Sequence, residues 1–257
     1  MKRVRVIPVL LMTSSGLVKS KKFKDYKYVG DPINAVRIFN DKQVDELAII
    51  DITASKEKRT PDLKRISEIA QEAFMPLAYG GGITSLQQAK EIMYNGIEKI
   101  ILNKSAVANP VLIEEIAGQF GSQSVVISVD VKKNLFGKYG VYIDNGTRRI
   151  DIDVFDYVRK CEDHGAGEVL LTAIENDGTY SGYDLDIIRK ITSCVSIPVI
   201  ANGGASGIAD FKIAILDGGA SAVSAGSMFV FQRPHNAVLI SYPSVEQLET
   251  RLYNQLP

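Results

Sequence analysis

Short apolar runs separated by amphipathic stretches recur along the whole chain. Val4 to Leu11 is broken only by Arg5 and Pro8, and Glu46 to Ile52, Met75 to Tyr79, Glu98 to Leu102, Ser124 to Asp130, Glu168 to Ala173, Pro198 to Ala201 and Ala220 to Ala225 have the same character. Runs of this length that do not alternate with polar residues predict strands covered on both faces. The stretches between them carry helix signals. Asp31-Pro32 predicts a helix to about Asn40, Pro61-Asp62 opens one with Leu63, Ile66, Ile69 and Ala70 on one face, and Ser85 caps one that ends at Asn95-Gly96. Further helices are predicted near Pro110, over Val154 to His164, Leu185 to Thr192 and Ile208 to Asp217, and in the tail over Val245 to Leu252. Eight apolar strands alternating with helices in 257 residues predict an α/β fold, a (β/α)₈ TIM barrel.

The pattern also repeats. Met75 to Ile83 is echoed by Ile197 to Ala205, an offset of 122 residues that places Pro76 on Pro198, Gly81 on Gly203 and Gly82 on Gly204. Glu46 on Glu168, Gly96 on Gly218 and Ser105 on Ser227 fall in the same register, which argues for two similar half-barrels. Two Rossmann-like halves are the competing reading, but no G-x-G-x-x-G follows the first strand. Residues 1–257 are thus expected to form one barrel domain, with a two-stranded hairpin inserted near 134–150 and an atypical segment at 229–243 after the eighth strand. Lys19 to Lys24 reads as a mobile, cationic loop.

Composition narrows the chemistry by exclusion. Thirty basic residues balance thirty acidic ones, so bulk charge gives no reason to expect a nucleic-acid partner. No stretch approaches the roughly 20 apolar residues of a spanning helix, and no membrane partner is expected. The apolar run near the start is too brief, and too soon followed by lysines, for a signal peptide. Cys161 and Cys194 have no metal-ligand spacing, so no metal or cofactor is expected and the thiols read as reduced, in a cytoplasmic protein. His164 and His235 read as a helix-end and a loop residue.

Glycine-rich strand ends point to phosphate. Backbone N–H groups at Gly81 and Gly82 with Asn103, Lys104 and Ser105 form one candidate anion site; Gly203 and Gly204 with Asp177, Gly178, Gly226 and Ser227 form its counterpart. Two such sites across one mouth imply a substrate with a phosphate at each end. A G-G pair that merely permits a tight turn is the alternative.

Several stretches together resemble the cyclase subunit of imidazole glycerol phosphate synthase, HisF. They are G-D-P at Gly30 to Pro32, D-E-L at Asp45 to Leu47, D-I-T-A-S at Asp51 to Ser55, E-K-R at Glu57 to Arg59, G-G-G-I at Gly80 to Ile83, F-G-S-Q at Phe120 to Gln123, G-A-G-E-V-L-L-T at Gly165 to Thr172 and D-G-T-Y-S-G-Y-D at Asp177 to Asp184. The resemblance implies a HisH-like glutaminase partner on the N-terminal rim and passage of ammonia along the barrel axis. Its entrance would be a gate of Arg5, Glu46, Lys99 and Glu168, for which a structural salt-bridge plug is the alternative. It also implies a phosphorylated small-molecule substrate and two catalytic aspartates, at the ends of strands one and five. Asp130 occupies the second position, but Leu11 stands in the first, and leucine moves no proton where general acid–base catalysis contributes about 10² to 10⁴ in rate. This departure and the segment F-V-F-Q-R-P-H-N-A-V-L-I-S-Y-P resemble a branch linked to surface-polysaccharide and nonulosonic-sugar amidination, in which a third protein, an amidotransferase, receives the ammonia. Four readings compete: that branch, the parent cyclase of histidine biosynthesis, an isomerase of the sister HisA type, and a scaffold that activates its glutaminase. The isomerase also needs the strand-one aspartate and has no use for the charged ring.

Overall fold

The computed structural model describes residues 3–257. In chain order its strands are β1 (Arg5–Thr13), β2 (Gly16–Lys21), β3 (Lys24–Gly30), β4 (Leu47–Asp51), β5 (Leu77–Gly80), β6 (Lys99–Leu102), β7 (Val125–Lys133), β8 (Tyr139–Ile143), β9 (Arg148–Arg149), β10 (Glu168–Ala173), β11 (Val199–Asn202), β12 (Ala222–Ala225), β13 (Phe231–Gln232) and β14 (Ala237–Val238). The helices are α1 (Pro32–Asp41), α2 (Ala54–Glu57), α3 (Leu63–Glu72), α4 (Leu86–Tyr94), α5 (Lys104–Ala108), α6 (Val111–Phe120), α7 (Val154–Asp163), α8 (Leu185–Thr192), α9 (Ile208–Leu216), α10 (Ser227–Val230) and α11 (Val245–Arg251).

Eight parallel strands run in the order β1-β4-β5-β6-β7-β10-β11-β12, and β12 pairs with β1 to close the ring. The predicted TIM barrel is the observed fold. Side chains alternate across each strand, so one set faces the helices and the other faces the barrel axis. Ile49, Leu77, Ile100, Ile127, Val169 and Val223 join the helix faces in the larger core. Ile7, Val9, Ala48, Ala78, Ile101, Val126, Leu170, Ile200 and Ala222 form a separate apolar cylinder inside the ring.

The helix starts follow their caps. Asp31, Asp62, Ser85, Asp153 and Asp184 each accept a hydrogen bond from a backbone N–H of the first turn, and Ser244 with Gln247 forms a reciprocal capping box. Gly96 and Gly165, both at positive φ, follow α4 and α7 as the sequence predicts.

One local expectation changes and two gain detail. Lys19 to Lys24 is not a mobile loop: β2 and β3 pair antiparallel and extend β1 past the barrel rim, with Lys19 and Ser20 buried. An ammonium with a buried carboxylate partner, here Asp177, is held in place where a solvated one is not. A hairpin does lie within 134–150, as expected, and it is joined to the barrel sheet. β7 itself runs on to Lys133 and pairs with β8, which pairs in turn with β9. Residues 229–243 contain the end of α10 and a short hairpin, β13 with β14, before Tyr242 donates to the carbonyl of Val6.

Candidate active site and axial passage

Stacking along the axis follows from the two-residue period of each strand. The lowest layer holds Arg5 of β1, Glu46 just before β4, Lys99 of β6 and Glu168 of β10. Arg5 Nη1 lies 2.6 Å from Glu46 Oε2, and Arg5 Nη2 lies 2.7 Å from Glu168 Oε1. Lys99 Nζ lies 2.9 Å from Glu46 Oε2 and 3.1 Å from Glu168 Oε2. The four predicted residues therefore meet in one ring, each cation touching both acids. Burial works against the Arg5 charge, but the two carboxylates more than offset it and raise its pKa.

The next layers are the apolar cylinder. A void of about 10 Å³ lies within it, lined by Ile7, Val9, Glu46, Ala48, Ala78, Ile101, Val126, Leu170 and Ile200. That is close to the roughly 10–15 Å³ that one water-sized molecule requires. Val9 and Ile101 also line the large cavity at the C-terminal mouth. Charged ring, apolar void and mouth cavity thus follow one another along the axis.

The mouth cavity has a volume of about 110 Å³. Its floor is apolar, with Leu11 and Ile50 beside Val9 and Ile101, while Asn103, Asp130, Thr172 and Asn202 face inward from β6, β7, β10 and β11 or their ends. Leu11 and Asp130 belong to strands four positions apart in an eight-stranded ring, so they sit across the barrel from one another. Burial raises the Asp130 carboxyl to about 7, held back by hydrogen bonds from Thr172, Ser128 and Asn103, the last at 3.2 Å. A carboxyl tuned to that range exchanges a proton readily near neutral pH.

The two predicted anion sites differ. Gly81, Gly82, Asn103, Lys104 and Ser105 all line the mouth cavity, joined by Ser55 and Lys56. Gly81 and Gly82 have φ of +120° and +73°, and a Cβ would come within 2.3 Å of the Asp51 carbonyl oxygen and 2.7 Å of the Arg59 carbonyl oxygen. Their bare backbone is therefore a steric requirement, which places their peptide groups against the cavity. Asp51 fixes this wall: its Oδ1 accepts from the backbone N–H groups of Thr53 and Ala54, and Arg59 Nη2 lies 3.3 Å from its Oδ2.

Of the second group only Asp177 lines the cavity. Its carboxylate accepts from Lys19 Nζ at 3.0 Å and from Ser20 Oγ at 3.3 Å. Gly178 packs against the backbone of Ser20 and Lys21, a Cβ on Gly226 would meet Lys19 Nζ at 2.8 Å, and Gly203 and Gly204 face the Ala173 and Gly182 carbonyls. The β2–β3 hairpin thus lies over the second predicted anion site. Pattern reading missed Lys19 because a lysine in a lysine-rich run gives no sign of burial. It also missed Asp144, whose carboxylate accepts from Lys104 at 2.8 Å and is held below the usual range by Lys104 and Arg148 against the cost of burial. Both cysteines are free, and the described residues contain no cluster of three metal-ligating side chains.

The sequence pattern of the histidine biosynthesis protein family matches residues 5–234. The chain belongs to that family. Within it the chain is HisF-like: it is 46% identical over 254 residues, 98% of this chain and all of the relative, to a protein of Leptospira interrogans provisionally named imidazole glycerol phosphate synthase subunit HisF. It is 48% identical over 249 residues, 97% of this chain and 99% of the relative, to a Pseudomonas aeruginosa protein provisionally named subunit hisF2 of that synthase. A relative named HisF without that qualification, from Alkaliphilus metalliredigens, is 41% identical over 243 residues, 95% of this chain and 94% of its own. No helix of this HisF-like barrel is long and apolar enough to cross a membrane among the described residues.

Proposed function

We propose that this HisF-like chain is the ammonia-receiving subunit of a glutamine-amidotransferase complex, and that it delivers ammonia at its mouth for amidination of a surface sugar. The observation that carries the reading is the stacking of the Arg5, Glu46, Lys99, Glu168 ring beneath an apolar void whose lining residues Val9 and Ile101 also line the mouth cavity, where Leu11 stands. A ring in which each acid touches both cations can exchange partners without leaving a charge uncompensated, because each carboxylate keeps one cation when it releases the other. Uncharged ammonia then meets only hydrocarbon, in which ammonium would be poorly solvated. The family's names as subunits, and the exposed Phe74 in the loop before β5 and Tyr94 at the C-terminal end of α4, support a HisH-like glutaminase on that rim.

At the mouth the open anion site at Gly81, Gly82, Lys104 and Ser105 supports a phosphorylated substrate, and Asp130 is the one strand-end carboxyl poised to move a proton. With Leu11 opposite, ring closure by a carboxyl pair has no second partner, which favours the relay. The parent cyclase reaction remains the second reading, favoured by Asp130 itself. It would require Asp177 and Lys19, the buried ion pair beside the cavity, to supply the other proton.

The test follows glutamine nitrogen through the assembled barrel and glutaminase. Lys99→Ala should lower the fraction of glutamine-derived nitrogen that reaches product by about tenfold while released ammonia rises. Undiminished coupling in that variant would reject the gate and with it the relay.

A further inference from the structure

The rim around the mouth has a charge and an apolar surface that neither anion binding nor the axial passage uses. Residues 16–30, 132–149 and 231–240, the three hairpin regions beyond the C-terminal ends of the barrel strands, contain eleven Lys and Arg against two Asp, in a chain whose net charge is zero. The remainder of the molecule is correspondingly acidic. Lys21, Lys22, Lys24, Lys27, Lys138, Arg148, Arg149 and Arg233 in these hairpins are all exposed.

Apolar side chains stand among those charges. Leu135 and Phe136, at the turn between β7 and β8, are the two most exposed large hydrophobic residues described, with Phe136 at 93%. Tyr28 on β3 and Leu239 after β14 are about half exposed on the neighbouring hairpins. The Leu135–Phe136 turn is ordered by its own bonds. Asn134 Oδ1 accepts from the backbone N–H groups of Phe136 and Lys138, each at 2.9 Å, and the Asn134 N–H donates to the Lys138 carbonyl. A turn that satisfies these backbone groups internally can be covered without leaving them unpaired, and two side chains already held outward lose little freedom when covered. Lys133 pairs with Asp184 and Asp186, whereas Lys132 and Lys138 are in no ion pair among the described residues, Lys132 Nζ lying 5.1 Å from the centre of the Tyr142 ring. An acidic surface would complete them.

We infer that the mouth face, centred on Leu135 and Phe136, is a docking surface for a second protein that presents an apolar pocket rimmed by Asp and Glu. This rests on the relay reading above, since a protein covering the mouth would take up ammonia before water protonates it. An anionic membrane matches the charge too, but a membrane lying over the mouth would leave a soluble acceptor no access, so the protein is the partner argued for.

The experiment uses the complete heterodimer with a photo-reactive benzoyl-phenylalanine at position 136, irradiated in cells that make this chain, with the same group at exposed position 64 as control. A single polypeptide cross-linked from position 136 alone is then purified and titrated with native heterodimer, with Leu135→Ser/Phe136→Ser and with Lys132→Glu/Lys138→Glu, each first shown to keep the native melting temperature. The expected result is at least tenfold weaker binding of each double variant, and weakening of the native complex when salt rises from 0.1 to 0.5 M. Binding within twofold for the variants, no protein cross-link above the control, or co-sedimentation with phosphatidylglycerol vesicles that the variants abolish would overturn the assignment, the last giving the face to a membrane. The two proposals also fail separately. Tip-dependent docking without transfer of glutamine nitrogen would reject the relay and keep the surface; transfer indifferent to the tip would do the reverse.

Discussion

The two ends of the barrel are built from the same strands, yet they handle charge in opposite ways. At the N-terminal end two cations and two acids share contacts in a ring, and the Arg5 side chain retains 30% exposure. At the C-terminal end Lys19 and Asp177 form a single pair, each side chain only 5% exposed, while Asp130 faces a leucine across the axis. Redundant, partly wet contacts let one interaction replace another, which suits a gate. A dry, unshared pair is fixed, and an unpaired buried carboxyl is tuned to hold its proton, which suits a reaction chamber.

That difference is measurable. The largest effect is expected from Lys19→Met, which leaves Asp177 buried without its cation and should cost about 4 kcal/mol of unfolding free energy. Lys19→Met/Asp177→Leu should recover most of the loss in urea denaturation. Recovery of none would mean that the pair serves the hairpin through packing alone.

Asp130 gives the next effect, with a definite sign. Its folded pKa is raised to about 7 from 3.8, so the folded state binds the proton more tightly than the unfolded chain. The associated stability is fully present below about pH 4 and is lost as pH rises through 7. Asp130→Asn, which cannot lose a proton, should therefore gain about 3 kcal/mol relative to the native chain between pH 4 and pH 8, under the ceiling of roughly 4 that the full shift implies. A constant difference across that range would remove the argument that burial tunes this carboxyl.

Arg5→Met at the opposite end should cost less, about 2 kcal/mol, because Lys99 still reaches both glutamates and water reaches the ring. A loss equal to that of Lys19→Met would erase the contrast between shared and unshared charge. The smallest expected effect is specific to the passage. Ala78→Leu adds a bulky side chain to the wall of the axial void and should lower glutamine-driven transfer about tenfold, while transfer from added ammonium salt stays within twofold. Equal losses from both nitrogen sources would place the damage at the mouth.

How much of this is legible in the sequence depends on whether a feature is local or assembled. The eight strands and the caps at Asp31, Asp62 and Ser85 follow from period and cap chemistry, so their positions agree to within a few residues. Gly81 and Gly82, which the 122-residue echo singled out, line the mouth cavity. The same echo gave no warning that residues 16–30 fold over the partner site, because a covering hairpin breaks the symmetry from outside the repeat. Lys19, Asp177 and Asp144 acquire their partners across 158 and 40 residues of chain, and no spacing rule reports such pairs. The ring residues are as distant in sequence, and only the resemblance to HisF brought them together before the structure did.

The central proposal is that this barrel admits ammonia at its charged ring and does not carry out ring closure, because Leu11 stands across the mouth from Asp130. It is tested most directly by supplying a saturating ammonium salt and the bis-phosphorylated aminoimidazole ribonucleotide, without a glutaminase, to the native chain and to Leu11→Asp. The account predicts that the native chain forms no imidazole glycerol phosphate above background and that Leu11→Asp gains measurable turnover. Native turnover equal to or above that of Leu11→Asp would contradict it.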